Sequence, residues 1–544
     1  MVSFSLRTLS LSVSMSAERL KRIVGFFEKH ATLFLIVVLS AISVFAFLYY
    51  LDSGLGLAYN DARSHLDIGR RVVEGLKPGL AQIGSVWLPL PHLLMVPTIW
   101  SDFMWHTGLA GAIQSMLSFL GTGILIYLFL KKLGVGLLGR LIGVFVFVAN
   151  INILYLQSTA MTELLLLATM TAAAYELMVW HKDEKLLNLI KASAWVMLST
   201  LIRYDGWFLL FVATLLVMVH TLRRRNFRMT EGATLVFLTL SAFGIVLWLL
   251  WNLLIFKDPF YFAFGPFSAH AQQEQLDQAG VLATKNDIIL STKVYLYALA
   301  YNSYAFSLVL GLIGLIVFLR DKTVAAGVRI SSLALLAPLF FNILALYLGF
   351  SVLFIQGFSG GTWFNARYGI MMMPTIAIFI GYLVHRAKEL KYVVIGLVFL
   401  TTFFAFANGD AVTIDDARVG SSQKNVSEVS GWLRENVKNA DGFVLISAAS
   451  HDAIIFSSGL PMKKFIHEGT GTYWESATTS PDRWARWIIM RTNDDNDLTF
   501  RSVKKTTGFA KYDKVQSFPF ADIYEIKPEY VSQLETKPVL PKQR

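Results

Sequence analysis

Eleven apolar stretches, most of them near the length of a bilayer crossing, leave this chain few folds to choose from. A helix needs about 20 apolar residues to cross the hydrocarbon core. Inside that core each backbone N–H and C=O must be paired within the chain, which favours helices. The stretches lie at 31–51, 107–130, 140–157, 160–180, 188–202, 207–222, 232–256, 294–319, 326–354, 369–385 and 392–408. Charged residues make up only 16% of the chain, against about 25% in soluble proteins. The predicted class is a polytopic α-helical membrane protein with about eleven transmembrane helices. Residues 1–30 lack an apolar core and a cleavage site, so 31–51 reads as an uncleaved signal anchor behind a short cytoplasmic tail.

The net charge of +11 has a local explanation. Basic residues sit in alternate loops: "ERLKR" in the tail, Lys131 and Lys132, "HKDEK" at 181–185, "RRRNFR" at 223–228, "RDK" at 320–322 and "HRAKELK" at 385–391. With eleven spans, all six fall on one side. By the positive-inside rule that side is the cytoplasm, so no nucleic acid partner is needed to account for the charge. The predicted location is the cell membrane, multi-pass, N-terminus inside and C-terminus outside. The chain has no cysteine, which excludes disulfides, thiolate metal sites and cysteine nucleophiles.

Past residue 408 the apolar runs shorten and charges become frequent. "NVSEVSGWLRENV" places Val426, Val429, Trp432, Leu433 and Val437 on one helical face. "GFVLISAA", "AIIFSSG", "WARWIIM" and "ADIYEIK" read as buried strands, and "SHD" at 450–452 reads as a turn. The expected division is a tail (1–30), a membrane domain (31–408) with a first outer loop at 52–106, and an extracytoplasmic soluble α/β domain (409–544).

The outer side holds the candidate chemistry. "YNDARSHLDIGRR" follows the first span. As a helix it sets Asp61 and His65 on one face and pairs Arg63 with Asp67. Asp61 is read either as a helix N-cap or as a general base held over a lipid-level site. The stretch 79–100, broken by three prolines, reads as interfacial helices with Trp87 and Trp100 at headgroup level. Glu163 stands at the outer start of one span, where a carboxylate needs a wet cavity or a partner. Arg203 and Asp205 mark a second outer junction ("RYDGW"), Arg367 and Tyr368 a third ("FNARYGIMMMP"). Five charged residues from distant places at one depth point to one shared cavity. Arginine suits a phosphate through its paired N–H groups.

The order of these motifs resembles the membrane-embedded GT-C glycosyltransferases, in layout over roughly 30–408, and within them the branch of protein O-mannosyltransferases and aminoarabinose transferases. The resemblance implies transfer of a sugar from a polyprenyl-phosphate donor to a protein, lipid or glycan acceptor on the extracytoplasmic face, with inversion. It matches Asp61 to the catalytic first-loop acid and makes Arg203 and Arg367 the candidates for the donor phosphate. His65, Arg63, Glu163, Asp205 and Tyr368 complete the expected substrate-binding set. The chain departs from the family at two points: Ala62 follows Asp61 where mannosyltransferases often carry a second acid, and 75–106 contains no Asp-x-Asp or Glu-x-Asp. No cofactor or metal is therefore expected, although Asp61 with His65 would make half a metal site. A flippase of lipid-linked sugars and a non-catalytic membrane scaffold are the competing readings.

Overall fold

The computed structural model describes residues 5–265, 268–278, 280–419 and 423–538. Eight helices among them are long and apolar enough to cross a membrane: Lys29–Asp52, Leu109–Lys132, Glu163–Asp183, Asp205–Arg224, Phe227–Phe256, Ala326–Tyr347, Ala366–Arg386 and Lys388–Arg418. Two shorter apolar helices, Leu137–Val148 and Leu186–Thr200, occupy two further expected positions. The stretch expected as a straight span at 294–319 differs. Its helices, Ile288–Ser303 and Ala305–Arg320, meet at 105° where Tyr304 takes a positive φ of 64°. Hydrophobicity counts both halves as one span; the bend leaves the second half to run along Met373–Arg386.

The bundle has two distinct ends. At one end Lys132 meets Asp183, Glu184 meets Arg224 and Arg225, and Arg386 meets Asp321. Five of the six basic stretches thus meet at this end. Close helix packing fixes the axes: a Cβ on Gly381 would stand 2.6 Å from the Gly139 carbonyl oxygen. Small residues at such crossings let backbones approach, which drives association where lipid removes the hydrophobic contrast.

At the other end the first loop folds into Asn60–Val73 and two short helices, Leu90–Met95 and Asp102–His106. It is tied to the bundle where the Tyr204 hydroxyl donates to the Val86 carbonyl (3.1 Å) and the Trp251 indole to that of Gly84 (3.0 Å). Trp100 is exposed, but Trp87 packs on the His65 ring instead of facing outward (4.3 Å between centroids).

The C-terminal region is a small α/β domain. Its sheet runs β2 (Phe465–Ile466), β1 (Phe443–Leu445), β3 (Ala485–Met490), β5 (Asp522–Ile526), β4 (Tyr512–Ser517). The first two pairings are parallel, the last two antiparallel. Two sequence expectations fail here. "AIIFSSG" is not a strand, and "SHD" is not a turn; both belong to the helix Ala448–Ser458. A four-residue apolar run buried all round carries no period, so strand and helix look alike in sequence. His451 and Asp452 leave that helix on different sides, His451 to Asp497 and Asp452 to the first-loop helix.

Candidate active site

The helix Asn60–Val73 begins after Tyr59, whose side chain makes no cap. Asp61 therefore lies inside the first turn and is not the N-cap. Its carboxylate gains from the helix dipole there and stays 42% exposed. Arg63 and Asp67 do not pair as the spacing promised. Arg63 donates to the Leu57 carbonyl (2.9 Å), and Asp67 accepts from the Trp105 indole (3.1 Å). Burial turns both inward before the i,i+4 contact can form.

Arg367 is the hub. It sits on a 3-10 stretch, Ala366–Met372, pressed so tightly onto Ile288–Ser303 that a Cβ on Gly369 would stand 2.2 Å from the Ala298 carbonyl. Asn302 fixes it by donating to the Ala366 carbonyl (2.7 Å). From there Arg367 Nη2 donates to Asp61 Oδ2 (2.5 Å) and Nε to Glu163 Oε1 (3.1 Å). Arg203 Nη1 donates to the same Glu163 oxygen (3.2 Å), and its Nε to Asp205 Oδ2 (3.4 Å). Tyr368 lies under both guanidinium groups, 4.9 Å from Arg203 and 5.3 Å from Arg367. Asp61, Glu163, Arg203, Asp205, Arg367 and Tyr368 are thus one connected network.

His65 faces elsewhere. Its Nδ1 is hydrogen-bonded to His92 Nε2 (2.8 Å). Burial first, then the Arg203 and Arg367 cations, push its pKa down to about 3, so it stays a neutral ring at physiological pH. Among the described residues no three histidine, aspartate or glutamate side chains converge as a metal site.

Two residues, Asp416 in the network and His92 beside it, escape sequence reasoning. Asp416 Oδ2 lies 3.7 Å from Arg367 Nη1 and accepts from the Tyr59 hydroxyl (3.1 Å). It is delivered by the helix Val412–Val419, which Asn152 holds through the Thr413 backbone N–H (3.0 Å) and hydroxyl (2.9 Å). The signal is the acid pair in "TIDDAR" just past the last span, inside the stretch expected to be the soluble domain. His92 was hidden among the prolines of 79–100.

The charge balance decides what the network can do. Four carboxylates (Asp61, Glu163, Asp205, Asp416) face two guanidinium groups. Glu163 is fully buried and Arg367 nearly so. Paired, such groups tolerate burial; removing one partner strands the others. Asp61 is the most exposed carboxylate of the network, and it holds Arg367 through Nη2.

The architecture has known counterparts. ArnT from Cupriavidus metallidurans bound to undecaprenyl phosphate superimposes with a TM-score of 0.56 at 10% identity, over 91% of this chain and 98% of that one. Its apo form gives 0.53 at 12% identity, over 92% and 99%. The apo oligosaccharyltransferase of Archaeoglobus fulgidus gives 0.51 at 11% identity, over 93% and 75%. The chain has the GT-C fold. It is a polytopic membrane protein with a C-terminal α/β domain, as expected from the sequence. No family model and no curated protein sequence matches it.

Proposed function

We propose that this protein is an integral-membrane glycosyltransferase that moves a sugar from a polyprenyl-phosphate donor to an acceptor on the extracytoplasmic face. The observation that carries the reading is the Asp61–Arg367 contact at the mouth of the buried network. A partly exposed carboxylate there meets an arginine, a side chain suited to phosphate, which supports the reading. The likeness to ArnT bound to undecaprenyl phosphate supports the donor class.

In this reading the resting ion pair opens when the donor arrives. The donor phosphate takes the Nη2 side of Arg367, with Arg203 behind it, and Asp61 is released toward the acceptor. Asp61 then accepts the acceptor hydroxyl proton. The acceptor oxygen attacks the anomeric carbon from the face opposite the phosphate, the carbon–phosphate oxygen bond breaks, and polyprenyl phosphate leaves on the arginines. The sugar is inverted. Glu163, Asp205 and Asp416 hold the two arginines in place during the exchange. Phe262, from the long loop after Phe227–Phe256, stacks on Tyr204 (5.9 Å) and meets Trp207 edge-on (5.7 Å) beside Arg203; in this reading it covers the donor.

Purified protein incubated with a polyprenyl-phosphate sugar should release free polyprenyl phosphate. A flippase or scaffold releases none, and that result would end the proposal. A reporter fused after residue 408 should be extracytoplasmic; a cytoplasmic reporter would put the network on the wrong face.

A further inference from the structure

The bend at Tyr304 leaves one helix in an unusual place. Ala305–Arg320 runs along Met373–Arg386 to the basic end, where Asp321 meets Arg386. Ile288–Ser303 turns away from it by 105°. Both ends of that turned helix are tied to the outer ends of other helices. The Asn286 backbone N–H donates to the carbonyl of Tyr347 (2.8 Å), the last residue of Ala337–Tyr347. The Tyr304 hydroxyl donates to the carbonyl of Asp410 (3.2 Å), just past Lys391–Asn408. Ile288–Ser303 therefore lies across the outer mouth of the bundle.

Its two faces differ. Ile289, Lys293, Leu296, Tyr297 and Tyr301 recur at helical spacing and are exposed. Beside them the segment 354–364 closes on itself: Phe354 and Phe364 exchange backbone hydrogen bonds (2.9 and 3.2 Å), and a Cβ on Gly360 would stand 2.8 Å from that of Phe354. This hairpin lays Phe358 against Tyr297 (4.5 Å between centroids) and Trp363 edge-on against Tyr301 (5.0 Å). Residues 349–366 carry no charge, and Lys293 is the single charge between 288 and 306. The inner face holds the segment that carries Arg367. There Ala298 packs under Gly369, Asn302 donates to the Ala366 carbonyl (2.7 Å), and the Tyr295 hydroxyl donates to that of Tyr368 (3.3 Å).

What covers the exposed face follows from its surroundings. Just beyond the bend Phe306, Val309 and Leu312 are exposed on a helix that crosses the bilayer, so lipid reaches the bend itself. Tyrosine and tryptophan are the side chains of the membrane–water boundary. A helix that opens its apolar face at that level lies in the boundary plane, and a cation beside it meets lipid phosphates. We propose that Ile288–Ser303 and the 354–364 hairpin form a platform seated in the outer monolayer, with Leu296, Tyr297, Tyr301 and Phe358 among the lipids and Lys293 at the headgroups. Through its inner face the platform sets the Arg367 segment at the depth of a lipid phosphate. That positioning role rests on the glycosyltransferase reading; the seating in the monolayer does not.

The chain has no cysteine, so single cysteines take a nitroxide label cleanly. Ile289→Cys, Leu296→Cys, Tyr301→Cys and Phe358→Cys of the full chain are labelled in nanodiscs, and collisions with oxygen and with a water-soluble nickel chelate give each label's depth. All four should favour oxygen and lie about 5–10 Å inside the headgroup boundary. Positions 289 and 301 are about 18 Å apart along the helix; a depth difference of that size would make the helix a crossing one and overturn the platform. Labels reached mainly by nickel would put it in water, and labels shielded from both reagents would mean that a second protein copy covers it; either result overturns it. For the positioning role, Leu296→Glu should raise the donor KM by roughly 10-fold, the lower bound for exposing one buried leucine, with kcat kept, while Leu296→Met keeps the wild-type KM. A fall in kcat at unchanged KM would overturn that role. Wild type with all four labels at the expected depth but no release of polyprenyl phosphate would leave the platform standing and end the glycosyltransferase reading.

Discussion

The two ends of the helix bundle both carry ion pairs, yet they are built for different purposes. At the basic end Glu184 meets Arg224 and Arg225, which are half exposed. Water screens such pairs, and each contributes about 0–1 kcal/mol. At the other end Glu163 and Arg367 are buried with Asp61, Arg203, Asp205 and Asp416 around them. A protein that needed only to mark its orientation would have no reason to gather six charges there and bury four of them. The pairs at the basic end are exposed to water; those at the acidic end are mostly enclosed by the bundle.

Substitutions at each end separate those roles, the largest effect coming first. Asp61→Asn should lower transfer by about 10²- to 10⁴-fold, read as polyprenyl phosphate released per minute, with the melting temperature nearly unchanged because Asp61 is partly exposed. Parallel loss of folding and turnover would make Asp61 a structural residue. Glu163→Gln removes the buried charge that Arg203 and Arg367 share and should destabilise the protein by about 3 kcal/mol, visible as early thermal unfolding in detergent. Unchanged stability would mean that the two ends differ less than their burial implies. Arg367→Lys keeps the charge but cannot reach Asp61, Glu163 and Asp416 together. We expect donor affinity to fall about tenfold, the worth of one good charge-assisted bond, with insertion into the membrane preserved. Glu184→Gln at the basic end should shift stability by less than about 1 kcal/mol and leave transfer untouched.

Much of this was readable in advance, for reasons that differ by element. Each of the eleven apolar stretches has a helical counterpart because hydrophobicity over 20 residues is a summed signal that no single residue upsets. Asp61, Glu163, Arg203 and Arg367 were found because charge at membrane depth is costly and therefore conspicuous. Asp416 was not conspicuous; it follows a span in a polar stretch, where an acid needs no special reason. The bend at Tyr304 was invisible since both of its arms are apolar. The helix at 448–458 was misread since burial on all sides erases periodicity.

What the sequence determined by itself was the membrane class, the gathering of the basic loops and the depth of the charged residues. Each follows from the solvent a side chain must face, which is a property of local composition. Which acid meets which arginine was settled only in three dimensions. Arg367 reaches Asp61 because Gly369 lets its backbone press against Ala298, and Asp416 arrives because Asn152 holds Thr413. Arg63 and Asp67, a sound i,i+4 pair on paper, part company for the same reason. A hydrogen bond depends on angstroms, and those are fixed by packing between segments hundreds of residues apart.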